Sequence, residues 1–144
     1  MSPDRELLRA GFVLMLAALL TGLLIPHVGN PRMALAAHVT GVLSALTLGV
    51  VAVAWPALAR AAALPWLMRW SFVGAGFGNW LAGVLASVFG TRRLTPLNGG
   101  AAGAEPWQEL LVGALQVGQA IAIIIAVALA IYALRPQANR SAGQ

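Results

Sequence analysis

Four long apolar runs make up most of this 144-residue chain, and they constrain its fold more than any other feature. Each run exceeds about 18 residues, enough for a helix rising 1.5 Å per residue to cross a hydrocarbon core of about 30 Å. In lipid, only helices and closed barrels pair every backbone N–H and C=O group. The runs show no polar–apolar alternation of the kind that barrel strands require. The sequence therefore predicts an all-α integral membrane protein, a bundle of four transmembrane helices.

Prolines, glycines and polar residues mark the predicted ends of these helices. The helices are expected to cover approximately residues 6–25, 32–59, 66–90 and 107–134. Pro56 is expected to bend or end the second helix. A single domain, residues 1–136, contains all four helices, and residues 137–144 are expected to be a disordered tail.

Composition points to the lipid bilayer as the main partner and excludes several classes of chemistry. Charged residues make up 9% of the chain, against about 25% in a typical soluble domain. The absence of cysteine excludes disulfides, thiolate metal sites and cysteine nucleophiles. All basic residues are arginines at helix ends, without a basic cluster interleaved with aromatics, so the net charge of +5 predicts membrane flanks and no nucleic-acid partner.

The arginines also predict the orientation of the chain, because cytoplasmic flanks carry more positive charge. The larger group comprises Arg5, Arg9, Arg60, Arg69, Arg135 and Arg140. The smaller group comprises Arg32, Arg92 and Arg93. This distribution predicts a multi-pass protein of the inner (cytoplasmic) membrane with both termini in the cytoplasm.

Polar residues inside membrane spans are the candidates for function. His38 lies about two turns inside the second helix, on a stripe of small residues that includes Gly41 and Ala45. Neutral imidazole is a strong ligand for iron or zinc, and small neighbours would let a flat porphyrin approach the backbone. The alternative is a histidine hydrogen-bonded across the bundle, with the small residues packing helix on helix. The residues alone leave both interpretations open.

The third and fourth helices carry side-chain amides. Asn79 can hydrogen-bond a bound polar group, with Phe77 or Trp80 stacking on a ring, or it can form an interhelical bond worth about 1 kcal/mol. Gln116 and Gln119 lie deep in the fourth helix and are expected to line a pocket or to bridge subunits. No catalytic triad, HExxH motif or phosphate-binding loop is visible in the spans. Chemistry in this bundle would need a cofactor, or would depend on one histidine and a few amides.

Several sequence blocks together resemble a known family of small membrane enzymes. They are residues 8–12, 20–26 and 30–42, the run Gly78-Asn79-Trp80-Leu81, Gly90 and Pro96. These blocks are similar to the hydroxylaminobenzene mutases. That family in turn resembles the styrene oxide isomerases in its four-helix plan, its helix-two histidine and its Gly-Asn pair in helix three.

The resemblance implies a redox-neutral, membrane-bound isomerase that is a homotrimer and binds haem b. His38 would be the axial ligand of the iron, with Gly41 and Ala45 beside the haem. Ferric haem would act as a Lewis acid on an oxygen of a small aromatic substrate. The expected reactions are conversion of arylhydroxylamines to ortho-aminophenols and the Meinwald rearrangement of aryl epoxides to aldehydes.

The chain departs from these families where the substrate oxygen would be oriented. Ser44 stands where both families carry an asparagine, and Thr40 stands where the mutases usually carry an acid. Gly83 and Ala75 replace a tyrosine and an aspartate of the epoxide isomerases. Ser44 and Asn79 are therefore the groups expected to be catalytic.

The predicted substrate pocket is lined by Phe77, Trp80, Gly83 and Gln116. The alternative function is a non-enzymatic membrane packing or assembly protein in which His38 and Asn79 are structural. A small transporter is disfavoured because no inverted repeat or pair of broken helices is visible.

Overall fold

Four α-helices account for most of the protein in the computed structural model, which describes residues 2–95 and 103–135. The helices are α1 (Pro3–Leu24), α2 (Pro31–Ala61), α3 (Pro65–Phe89) and α4 (Pro106–Ala133), with a 3₁₀ turn at Ile25–His27. Each of the four helices is long and apolar enough to cross a membrane. The prediction of an all-α membrane protein with four spans is confirmed. The predicted tail, residues 137–144, lies outside the described residues.

Each transmembrane helix begins with a proline, namely Pro3, Pro31, Pro65 or Pro106. Proline suits this position because its fixed φ is helical and the N–H that it lacks would have no partner in the helix. Asn30 caps α2 by accepting a hydrogen bond from the Met33 N–H at 3.1 Å. The predicted starts at residues 6, 32, 66 and 107 lie one to three residues after these prolines, and Pro106 was expected in the first turn of its helix.

Pro56 and Gly90 differ in their effect on the helices that carry them. Helix α2 continues through Pro56 to Ala61, so Pro56 does not end it. Helix α3 ends at Phe89, and its C-cap residue Gly90 has a φ of 71°, which is left-handed and therefore favours a residue without a Cβ.

The helices pack in chain order. Helix α2 packs extensively against α1 and α3, and α3 packs extensively against α4. Within the described residues α1 and α4 do not contact each other, and α2 barely contacts α4. Helix α4 buries only Val112, Ala126 and Ala133. The arrangement is thus open on the α4 side, where an apolar helix faces outward as a lipid-exposed helix does.

Polar contacts fix which helix ends lie together. Glu6 near the start of α1 pairs with Arg69 near the start of α3, with Oε2 and Nη1 2.6 Å apart. At the other end, the Glu109 carboxylate accepts hydrogen bonds from the backbone N–H groups of Arg92 at 2.7 Å and Arg93 at 3.1 Å. The side of the membrane that each end faces stays a prediction.

Close contacts between α1, α2 and α3 form around Trp80. Its indole N–H donates to the Thr21 hydroxyl at 3.0 Å, and that hydroxyl donates to the Ala17 carbonyl at 2.9 Å. A Cβ placed on Gly41 would lie 2.7 Å from both the Ala18 Cβ and the Trp80 Cδ1. The missing side chain of Gly41 therefore provides the space that the Trp80 ring occupies between α1, α2 and α3.

Gly41→Ala is expected to destabilise the protein by about 1–3 kcal/mol, because an added methyl group overpacks a well-filled contact. The effect is measured as a lower midpoint of thermal unfolding in detergent. Gly74→Ala is the matched control, since a Cβ on Gly74 meets no atom within 4 Å. Equal midpoints for the two variants would contradict this account of the packing.

Candidate active site

A cavity of about 200 Å³ opens between α2, α3 and α4, in the gap left because α2 and α4 barely touch. We call it the polar pocket. Its lining residues are Thr40, Leu43, Ser44 and Thr47 of α2, Phe72, Ala75, Gly76 and Asn79 of α3, and Gln119 and Ile123 of α4. Five polar side chains thus face one cavity inside an otherwise apolar bundle.

Three of these polar side chains have no protein partner. Ser44, Asn79 and Gln119 are partly buried, and within the described residues their side chains form no hydrogen bond. Thr40 and Thr47, in contrast, donate to carbonyls of their own helix, at 3.3 Å and 2.9 Å. Polar groups at membrane depth are costly unless paired, so unpaired ones that share a cavity are a candidate ligand site. The interhelical bond that a purely structural Asn79 would make is not among the described contacts.

The Gly78-Asn79 pair has a geometric role in this pocket. A Cβ on Gly78 would lie 3.1 Å from the Gln119 Cβ, so the bare backbone lets α4 approach α3 closely. Asn79 is the next residue along the chain and lines the pocket together with Gln119. The glycine thereby brings the two amides to the same cavity.

His38 faces α1. Its Nδ1 atom lies 2.8 Å from the carbonyl oxygen of Ala18, and Gly22 lies directly against the imidazole ring. The other ring nitrogen, Nε2, has no hydrogen-bond partner among the residues that the structure describes. The contact expected of a structural histidine is therefore present, and one ring nitrogen remains available to a ligand.

An apolar groove of about 580 Å³ runs between α1 and α2. It is lined by Leu8, Gly11, Phe12 and Met15 of α1 and by Ala45, Leu46, Gly49, Val50, Val53 and Ala54 of α2. Ala45 follows His38 by seven residues, which is two helical turns or roughly 10 Å along the axis. His38 and this apolar groove therefore lie on the same side of α2.

The polar pocket lies on the opposite side of α2. Thr40 follows His38 by two residues, which corresponds to a rotation of about 200° around the helix axis. Ser44 and Asn79 share the polar pocket, whereas His38 and Ala45 face α1 and the apolar groove. Within one chain the predicted site residues thus divide into two groups.

The other predicted site residues lie outside both cavities. Gly41 and Trp80 pack against each other, and Gly83 packs against Ala37, where an added Cβ would lie 2.9 Å from the Ala37 Cβ. Phe77 and Gln116 line neither cavity.

Sequence reasoning placed Gln116 in the substrate pocket; in the structure Gln119, one turn further along α4, lines the polar pocket and Gln116 does not. It also missed Thr47 and Phe72 as lining residues. Helical periodicity alone could not show which of the two glutamines lines the pocket, because both are polar residues in the same span. The close approach of Gln119 to Gly78 is the contact that distinguishes them.

Comparison with known proteins decides the family. The model of the family described as styrene oxide isomerase matches residues 3–135. The chain belongs to the styrene oxide isomerase family. It is 34% identical over 137 residues to hydroxylaminobenzene mutase HabB of Ectopseudomonas oleovorans, covering 91% of this chain and 80% of that protein. Hydroxylaminobenzene mutase HabA of the same organism is 34% identical over 107 residues, 74% of this chain and 79% of that protein. No solved structure matches the chain with statistical significance.

Isomerisation is common to the family's description and to both relatives' names, and this chain is an isomerase. The resemblance drawn from the sequence blocks is confirmed. The non-enzymatic packing alternative is set aside, even though His38 makes the cross-helix contact that it predicted.

Proposed function

We propose that this isomerase converts arylhydroxylamines to ortho-aminophenols within the membrane. The observation that carries the proposal is the set of three unpaired polar side chains, Ser44, Asn79 and Gln119, around the polar pocket. The names of the two mutase relatives support this substrate class. A second candidate, the rearrangement of aryl epoxides to aldehydes, is supported by the family's description.

Hydrogen-bonding capacity favours the arylhydroxylamine. The amides of Asn79 and Gln119 each offer donors and a carbonyl acceptor, and the Ser44 hydroxyl offers both functions. An arylhydroxylamine can donate from its N–H and O–H groups and accept at oxygen, so it can satisfy all three side chains. An epoxide only accepts, and it would leave the two amide carbonyls unpaired at a cost of about 1–3 kcal/mol each. The pocket volume of about 200 Å³ suits a single aromatic ring, since pockets for drug-sized ligands have volumes of about 300–1,000 Å³.

The donor chemistry of His38 suits haem b. Imidazole is a common axial ligand of haem iron, and Nε2 of His38 has no partner among the described residues. The apolar groove on the same side of α2 begins two helical turns away at Ala45 and does not include His38 among its lining residues, so the fit depends on the ring nitrogen of His38. Ferric haem, when bound, supplies a Lewis acid for the substrate oxygen.

The chain's own residues would bind and orient the substrate. In the rearrangement the N–O bond breaks, a C–O bond forms at the ortho carbon, and the ring loses a proton while nitrogen gains one. Atoms and electrons balance without an oxidant or reductant. Ser44, Asn79 and Gln119 would hold the nitrogen and oxygen against the ring edge. The apolar walls, which include Phe72 and Ile123, would exclude water that could otherwise capture the developing positive charge.

The two groups of site residues would act together only if a second copy of the chain supplied one of them. His38 and the polar pocket lie on opposite sides of α2, so one chain does not bring them to a common cavity. We propose that His38 of one copy serves the polar pocket of a neighbouring copy in a homo-oligomer. The outward apolar face of α4, together with the open gap between α2 and α4, provides surface for such a contact. The family resemblance implies a homotrimer.

The decisive experiment is a substrate panel with the detergent-purified protein. Incubation with phenylhydroxylamine under anaerobic conditions is expected to yield 2-aminophenol as the main product by liquid chromatography. Styrene oxide is assayed in parallel for phenylacetaldehyde. Conversion of styrene oxide alone would replace the proposal by its second candidate, and conversion of neither substrate would refute both.

Gln119→Leu is expected to lower kcat/KM for phenylhydroxylamine about three- to tenfold, the equivalent of one net hydrogen bond of about 0.5–1.5 kcal/mol. Gln116→Leu is the matched control on the same helix. The amide oxygen of Gln116 is buried without a partner, so its replacement is expected to leave kinetics unchanged and stability equal or higher. A larger kinetic loss in Gln116→Leu than in Gln119→Leu would contradict this assignment of the pocket.

A further inference from the structure

We infer that the carbonyl oxygen of Ala18 and the bare backbone of Gly22 form a seat for the His38 imidazole that fixes its tautomer and its orientation. The inference deepens the proposed function, because its consequence for iron rests on haem binding at His38. The seat itself is defined by contacts between α1 and α2 that involve no cofactor.

The contact with Ala18 determines which ring nitrogen carries the proton. A carbonyl oxygen only accepts hydrogen bonds, so Nδ1 of His38 must donate across the 2.8 Å that separates the two atoms. A neutral imidazole has one N–H, and Nε2 therefore keeps its lone pair. Ala18 is fully buried, so water does not compete with His38 for its carbonyl oxygen.

Gly22 supplies the space for the ring. A Cβ on Gly22 would lie 3.0 Å from Cε1 of His38 and 2.8 Å from Nδ1, and the second distance is closer than real Cβ contacts allow. Any side chain there would push the imidazole away from the Ala18 carbonyl. The neighbouring Thr21 accepts the indole N–H of Trp80 at 3.0 Å, which holds this part of α1 against α3.

The seat would prepare His38 to ligate iron. A metal-binding histidine commonly donates its second ring N–H to a carbonyl, which orients the ring and makes the ligating nitrogen more basic. Here the carbonyl belongs to α1 and the histidine to α2, so ligand geometry depends on the packing of these two helices. Gly22 and Ala18 are accordingly positioning residues that act through His38.

A haem-independent experiment tests the seat. Protein labelled with ¹⁵N-histidine is purified without haem, and the spectrum is assigned with His27→Gln, since the chain has two histidines. Neutral His38 is expected to be the Nδ1–H tautomer, the reverse of the form that imidazole side chains favour in water. Gly22→Ala is expected to shift His38 toward the Nε2–H form, whereas Gly74→Ala is expected to keep the wild-type signals. An unchanged His38 tautomer in Gly22→Ala would overturn the inference.

A second experiment measures the consequence for haem. Gly22→Ala is expected to lower haem affinity about 10–100-fold, the usual effect of losing such a partner, and Gly74→Ala to leave it unchanged. If Gly22→Ala does not fold, His38→Gly replaces it. Added imidazole is expected to restore the Soret band in that variant several-fold better than 1-methylimidazole, which has no N–H for the Ala18 carbonyl. Equal restoration would overturn the inference. A wild-type protein that binds no haem refutes the cofactor proposal and leaves the tautomer result standing.

Discussion

His38→Ala is expected to remove the Soret band of the purified protein and to slow the rearrangement of phenylhydroxylamine by a factor on the order of 10²–10⁴. The physical reason is that a Lewis acid supplies several kcal/mol of stabilisation to charge developing at the substrate oxygen. His38 offers a ring nitrogen without a protein partner in the described structure. The measurements are an absorption spectrum and initial rates in the same detergent.

His27→Ala is the control for this variant. His27 lies in the exposed 3₁₀ turn after α1, and its replacement is expected to change neither the spectrum nor the rate. His38→Ala also loses the contact with Ala18, so its stability is expected to fall by about 1 kcal/mol, and rates are compared well below the unfolding midpoint. A colourless wild-type protein that still forms 2-aminophenol would refute the role of haem.

Asn79→Ala is expected to lower kcat by about 10²-fold while the haem spectrum stays that of the wild type. A fixed hydrogen-bonding group that meets developing charge contributes on this scale in a water-poor site. Ser87→Ala is the control on the same helix, because the Ser87 hydroxyl is buried and donates to the Val84 carbonyl at 2.7 Å, outside the polar pocket. An Asn79→Ala protein with wild-type kinetics would remove Asn79 from the site.

The His38→Ala and Asn79→Ala variants together test whether two copies of the chain share one site. If His38 of one copy serves Asn79 of another, co-produced His38→Ala and Asn79→Ala chains form some sites with both residues intact. Mixed oligomers, isolated through two different affinity tags, are then expected to recover a measurable fraction of wild-type activity. Mixed oligomers no more active than either variant alone would show that both residues act from the same chain.

Much of this architecture could be predicted because membranes leave the backbone few options. The lengths of the apolar runs and the need to pair every backbone group in lipid predicted four helices, and the structure has them. Proline and glycine also act locally, and therefore Pro31 and Gly90 mark helix ends that sequence reading placed within a residue or two. At Pro56, where the sequence predicted a bend or an end, the helix continues to Ala61.

The candidate site was predictable in part. His38 and Asn79 stood out because polar residues are rare inside spans, and that argument needs no knowledge of neighbours, whereas Ser44 was singled out by the family resemblance. Choosing Gln119 over Gln116, or recognising that the Trp80 indole is paired with Thr21, requires knowing which helix faces which. Those choices depend on contacts between residues far apart in sequence, such as Gly78 with Gln119.

The sequence by itself determined that this protein is a four-helix membrane bundle of an isomerase family, with one histidine and a few amides at membrane depth. Only the tertiary structure decided that His38 faces α1 while Ser44 and Asn79 face a pocket on the other side of α2. The reason is that hydrophobicity and backbone pairing act along each helix, whereas the rotation of a helix about its axis is decided by close packing at residues such as Gly22 and Gly41.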